Sequence, residues 1–147
     1  MAETCAFAAP RFDDRPAQAS EWGARPAEGE VCAETPPAFV WRPQKGTRSY
    51  DLQYARTAEF AGAVCVTGLT RNVCRPTESL APGRWFWRVR AHLAKASTDW
   101  TAPRAFTVAP DARACPLPPK DAILARIPEG HPRLFARPET RAVYLAG

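Results

Sequence analysis

LAPGRWFWRVRAHLA, running from Leu80 to Ala94, decides the fold. A turn at Pro82-Gly83 leads into a run with Trp85, Trp87, Val89 and Ala91 on one face. Phe86, Arg88, Arg90 and His92 fall on the other. Side chains alternate across a strand with a period of two, whereas a helix would scatter this order around its surface. RSYDLQYAR, residues 48–56, repeats the pattern, with Tyr50, Leu52 and Tyr54 facing one way and Ser49, Asp51 and Gln53 the other. Both segments read as half-buried strands.

Working outward, PPAFVWRP places Phe39 and Trp41 opposite Val40 and Arg42; Pro43 ends that strand and QKGT turns the chain. AVCVTG and RNVCRP are shorter β-prone pieces separated around Gly68 and bounded by Pro76. RAFTVA points Phe106 and Val108 inward after a corner at Trp100-Thr101. Proline is absent from Gln44 to Arg75 and from Gly83 to Ala102, the two stretches where a continuous sheet can be built. Short strands punctuated by turns predict an all-β, antiparallel β-sandwich of fibronectin type III/immunoglobulin-like type. Its expected core is Phe39, Trp41, Tyr50, Leu52, Tyr54, Leu80, Trp85, Trp87, Val89, Phe106 and Val108.

The flanks have a different texture. Residues 1–34 are rich in Ala, Pro, Glu and Arg without periodicity and read as an extended N-terminal arm, with Trp22 as an anchor onto something else. The sandwich is expected over 35–109. Residues 110–147 begin as a proline-rich linker, ACPLPPKD, followed by DAILARIP, with Ile123, Leu124 and Ile127 on one side of two helical turns. HPRLFARPETRAVYLAG then sets Pro138 at a helix start, with Glu139 in its first turn.

The net charge is +5, from 20 basic and 15 acidic residues among 147, and the bases are scattered. Nucleic-acid surfaces show a stripe or cluster of bases, so nucleic acid is not an expected partner. No segment approaches the ~20 apolar residues that span a bilayer, so neither is a membrane. MAETCAFAAPRFDDRP has neither a charged n-region nor an apolar h-region, so it does not read as a signal peptide. The cysteines, Cys5, Cys32, Cys65, Cys74 and Cys115, lack metal-ligand spacing; Cys65 and Cys74 could face each other across a hairpin. No phosphate loop, GxSxG elbow or HExxH motif occurs, so no catalytic residue, metal or cofactor is assigned.

PPAFVWRPQKGTRSYDLQYAR, then LAPGRWFWRVRA, then DWTAPRAFTV resemble the fibronectin-type module at the N-terminus of heparinase II/III-like polysaccharide lyases. HPRLFARPE after the connector resembles the approach to their α/α-toroid catalytic domain, and the resemblance covers about residues 20–147. It implies a secreted or periplasmic bacterial parent enzyme that cleaves acidic polysaccharide by β-elimination. Its catalytic residues would lie in the toroid and the β-sheet domain beyond, so none is carried onto this chain. This chain would be a non-catalytic module that braces or positions the catalytic domain, its expected partner.

His92 reads as a surface strand residue without a partner carboxylate; His131 reads as a turn residue, or one packing on the toroid, as does Tyr144. The outward row Phe86, Arg88, Arg90 and His92 is the candidate binding surface. An aromatic beside two guanidinium groups suits a sulfated or uronic sugar. The same row also suits contact with a neighbouring domain, or a solvated face whose arginines pair with carboxylates across the sheet. Two further functions stand beside the lyase module: a carbohydrate-binding or adhesion module acting on its own, and an independent cytoplasmic interaction domain.

Overall fold

The computed structural model describes residues 10–126. Two compact units divide the chain at Pro116. The first is a β-sandwich of seven strands: β1 (Glu30–Thr35), β2 (Phe39–Val40), β3 (Thr47–Ala55), β4 (Val64–Leu69), β5 (Val73–Cys74), β6 (Gly83–Leu93) and β7 (Arg104–Ala114). A five-stranded sheet runs in the order β1-β7-β6-β3-β4, and β2-β5 form the second sheet. Described residues of the second unit carry one short helix, α1 (Lys120–Leu124), with Ile123 and Leu124 exposed. Among the described residues no helix is long and apolar enough to cross a membrane. The expectations for Cys5, Ile127, His131, Tyr144 and the helix from Pro138 lie outside the described residues.

The period-two reading of β3 and β6 is realised in their antiparallel register, Tyr50 opposite Ala91, Leu52 opposite Val89 and Tyr54 opposite Trp87. These pairs present one apolar face. Phe39 from β2 drops onto it, stacked 5.3 Å from Tyr54 and tilted 5.5 Å from Trp87, with Phe106 edge-on at 5.8 Å. Offset and edge-on contacts are the favoured arrangements of aromatic quadrupoles. Every expected core residue is buried except Trp85, which is only partly covered. Its ring lies at the end of the sheet, capped by the Arg56 guanidinium at 4.2 Å. Arg56 also donates to the carbonyls of Ala81, Pro82 and Arg84, and so holds the β6 entry turn.

The sheet extends beyond the expected sandwich at both ends. Residues 30–34, read as arm, form most of β1, and residues 110–114, read as linker, continue β7. β1 pairs with β7 in parallel, so the sandwich is not wholly antiparallel. EVCAET has no alternating apolar row; β1 is made by its partner and by a lock in which Thr35 Oγ1 donates to Leu80 O and accepts from Leu80 N. The arm is also tied to the second sheet, because Arg25 and Val40 exchange backbone hydrogen bonds of 2.9 and 2.8 Å. Cys65, on β4, and Cys74, on β5, belong to different sheets, and Cys32, Cys65, Cys74 and Cys115 are free thiols. Burial, followed by the charge of Glu30, pushes the Cys32 thiol up to about 11.

Candidate functional site

The outward faces of β3 and β6 meet in the same register that builds the core: Ser49 opposite His92, Asp51 opposite Arg90 and Gln53 opposite Arg88. Phe86 ends the row opposite Ala55. The candidate row Phe86, Arg88, Arg90 and His92 therefore lies on one surface, each side chain half-buried. Two loops fold over it. Phe60, from the β3–β4 connection, adopts φ 60° and is buried. That left-handed conformation is rare for an aromatic residue and is held here by the packing around it. Trp100 comes from the corner before β7. Thr98 and Thr101 build that corner: their hydroxyls accept the Ala91 and Val89 N–H groups at 3.0 and 3.1 Å.

These loops turn the row into a laminate. The Arg88 guanidinium lies 4.0 Å from the Phe60 ring centre and 4.9 Å from that of Trp100; Arg90 lies 4.7 Å from Trp100. Arg84 lies 5.1 Å from the Phe86 ring. Trp100→Ala should lower stability by about 1–2 kcal/mol, the worth of two cation–π contacts at a half-buried site, read as a lower urea midpoint with an unchanged slope. A loss below a few tenths would mean that the laminate only decorates the surface.

At the far end of the row Asp51 is buried, 4% exposed. Its Oδ2 accepts from Arg90 Nη2 at 2.8 Å and Nε at 3.0 Å, and lies 2.7 Å from His92 Nε2. Oδ1 accepts from the Gly68 N–H at 3.3 Å. Burial alone would raise this carboxyl; the bonds from His92, Arg90 and Gly68 outweigh it and hold Asp51 below the usual carboxylate range. His92 thus has the carboxylate partner that the sequence did not reveal, because Asp51 lies a whole β-crossing away.

His92 Nδ1 also lies 2.6 Å from Ser97 Oγ, so Ser97, His92 and Asp51 form a chain of the residue types used in nucleophilic hydrolysis. Its electrostatics differ. Arg90 sits on the same carboxylate oxygen as His92 and offsets the charge that would stabilise an imidazolium. The chain ties the 93–97 turn to β3, and Ser97 and His92 form an antiparallel bridge there. Among the described residues no group of His, Cys, Asp and Glu is placed to hold a metal ion.

Arg88 differs from its neighbours. Its Nε donates to the neutral Gln53 amide oxygen at 2.9 Å, and among the described residues no carboxylate lies within ion-pair distance. The row therefore contains Arg90 and His92, both committed to Asp51, and Arg88, clamped between rings with no carboxylate partner among the described residues.

Neither a family model nor a curated protein matches the chain. Among solved structures it is similar to the chicken CNTN1 FN1-FN3 domains, with a TM-score of 0.41 and 17% identity over 60% of this chain. The match covers 31% of that chain, so this protein spans about a third of its length.

Proposed function

We propose that this protein is the non-catalytic N-terminal module of a secreted or periplasmic heparinase II/III-like polysaccharide lyase, bracing a toroid domain in the parent chain. The ordered motifs PPAFVWRP, RSYDLQYAR, LAPGRWFWRVRA and HPRLFARPE support the parent enzyme by resemblance. The laminated outer face carries the bracing role. Trp, Tyr and Arg concentrate at the centres of protein interfaces because they bring large contact areas. Here Phe60, Arg88, Trp100 and Arg90 are already stacked in place, so docking would order few additional rotamers. The test is the coding sequence beyond Gly147 and the longer protein it specifies. A toroid should follow, and residues 86–100 should exchange amide hydrogens more slowly in the longer protein than in the 147-residue chain. A frame that encodes no such domain, or unchanged exchange in the longer protein, overturns the reading.

The unmatched charge of Arg88 favours a second reading, a carbohydrate-binding module acting on its own. A guanidinium held between two rings presents its Nη donors to a carboxylate or sulfate without first having to be ordered. The 147-residue chain should be retarded on immobilised heparin or alginate at low salt, and Arg88→Ala should weaken that retention. Elution in the void volume rules this reading out.

A further inference from the structure

The five-stranded sheet ends on two strands of different character. β1 carries Glu30 and Glu34 and runs into Pro36-Pro37, and charge and proline are the usual protection of a sheet edge. β4, at the other end, reads VCVTGL, with no charge and no proline, and among the described residues no strand pairs with its outer side. Val64 is 47% exposed there, and Cys65 is exposed beside it. The register of β3 determines which backbone groups are left over. Thr101 N and Thr98 N donate to Val89 O and Ala91 O at 2.9 Å each, so these residues of β6 direct their backbone groups away from β3. Alternation then gives the β3–β6 bonds to Asp51 and Gln53, and the β3–β4 bonds to Leu52 and Tyr54 with their partners Val66 and Val64. Cys65, between them, turns its N–H and C=O to the open edge. Beyond Val66 a bulge at Gly68, φ 71°, bends the strand, so the regular stretch is short and centred on Cys65.

Such a stretch is completed by the same strand of a second copy turned about a two-fold axis. Antiparallel pairing centred on Cys65 sets that residue opposite its counterpart, exchanging two backbone hydrogen bonds. It also sets Val64 opposite Val66 on the same face, which covers the exposed valine. The ends of β4 fit the same operation. Glu59 precedes Cys65 by as many residues as Arg71 follows it. Both are exposed, and neither has an ion-pair partner among the described residues. Each sits on a fixed turn: Glu59 where the Phe60 N–H donates to Thr57 O at 3.1 Å, Arg71 beside Asn72, whose side-chain amide donates to Trp41 O at 2.7 Å. The two-fold therefore brings the acidic turn of each copy toward the basic turn of the other. An unrelated extended peptide would make the backbone bonds without matching both charges.

We propose that β4 is a self-association edge, where two copies of this chain join antiparallel about Cys65 into one continuous sheet, Glu59 of each facing Arg71 of the other. The contact is independent of the bracing role and of any parent enzyme. Sedimentation equilibrium of the 147-residue chain in reducing buffer tests it. A concentration-dependent dimer should form, and Cys65→Lys, which sets two like charges opposite each other, should weaken it about tenfold or more. Cys65 is exposed, so this variant should keep the parent melting temperature. Glu59→Arg should weaken the dimer too, and Glu59→Arg combined with Arg71→Glu should restore it. Residues opposite each other in a hydrogen-bonded antiparallel pair hold their Cα atoms about 5.5 Å apart, within the range a disulfide spans. Glutathione disulfide should therefore join two Cys65 thiols, releasing two molecules of reduced glutathione, and peptide mapping should find Cys65 linked to Cys65. The proposal is overturned by a chain that stays monomeric up to about 1 mM, a dimer untouched by Cys65→Lys, a charge reversal that the double variant does not repair, or oxidation that links another cysteine pair between copies in preference.

Discussion

Trp87→Ala should destabilise the sandwich by about 3–5 kcal/mol, the usual cost of removing a buried Trp and leaving its cavity. The residue is completely buried, opposite Tyr54 in the β3–β6 register and in contact with Phe39. Its role is more than volume. The indole Nε1 donates to Pro26 O at 3.0 Å, joining β6 to the arm, and the Arg104 guanidinium lies 5.3 Å from the ring. Arg104 in turn pairs with Asp14, so one side chain links the core to two points of the arm. Native domains have only about 5–15 kcal/mol in hand, so a loss of this size leaves much of the chain unfolded at moderate urea. Trp87→Phe retains a ring and loses chiefly the bond to Pro26, and should cost about 1–2 kcal/mol. Urea titrations followed by circular dichroism measure both. If Trp87→Ala cost under 1 kcal/mol, the shared core of β2, β3, β6 and β7 would be wrong.

That core was legible because it depends on one local rule. In LAPGRWFWRVRAHLA and RSYDLQYAR, alternation alone assigns Trp87 and Val89, and Leu52 and Tyr54, to the apolar face of their strands; the register that sets them opposite one another joins strands separated in the chain by β4 and β5 and is supplied by the fold. Asp51 shows where the rule stops. Alternation places it on the outer face correctly, but outward does not mean exposed. Phe60 and Trp100 arrive from elsewhere in the chain and roof that face, and neither crossing leaves a mark in the local pattern. β1 was missed for a related reason, since EVCAET becomes a strand only beside β7. Trp22 stood out in the sequence as an anchor; its neighbours Lys45 and Arg15 are brought beside it by the fold alone.

Asp51 carries the second large effect, and its sign follows from its partners. Replacing it with Ala leaves the Arg90 guanidinium and the His92 imidazole facing a pocket with no acceptor. Removing one member of a buried ion pair costs about 3–5 kcal/mol, and partial solvent access of Arg90 and His92 reduces this to roughly 2–3. Asp51→Asn keeps the shape and removes the charge, so it isolates the electrostatic part. Because the folded-state pKa lies below the ordinary 3.8, the carboxylate contributes its stabilisation fully above that value, and loses it as pH falls through the folded pKa. The stability gap between the natural protein and Asp51→Asn should therefore be widest and flat near neutral pH, and should close below about pH 4. Urea midpoints at pH 7, 4 and 3 measure it. A gap that stayed constant down to pH 2 would show that Asp51 is not held as a charged acceptor, and that Arg90 and His92 are not committed to it.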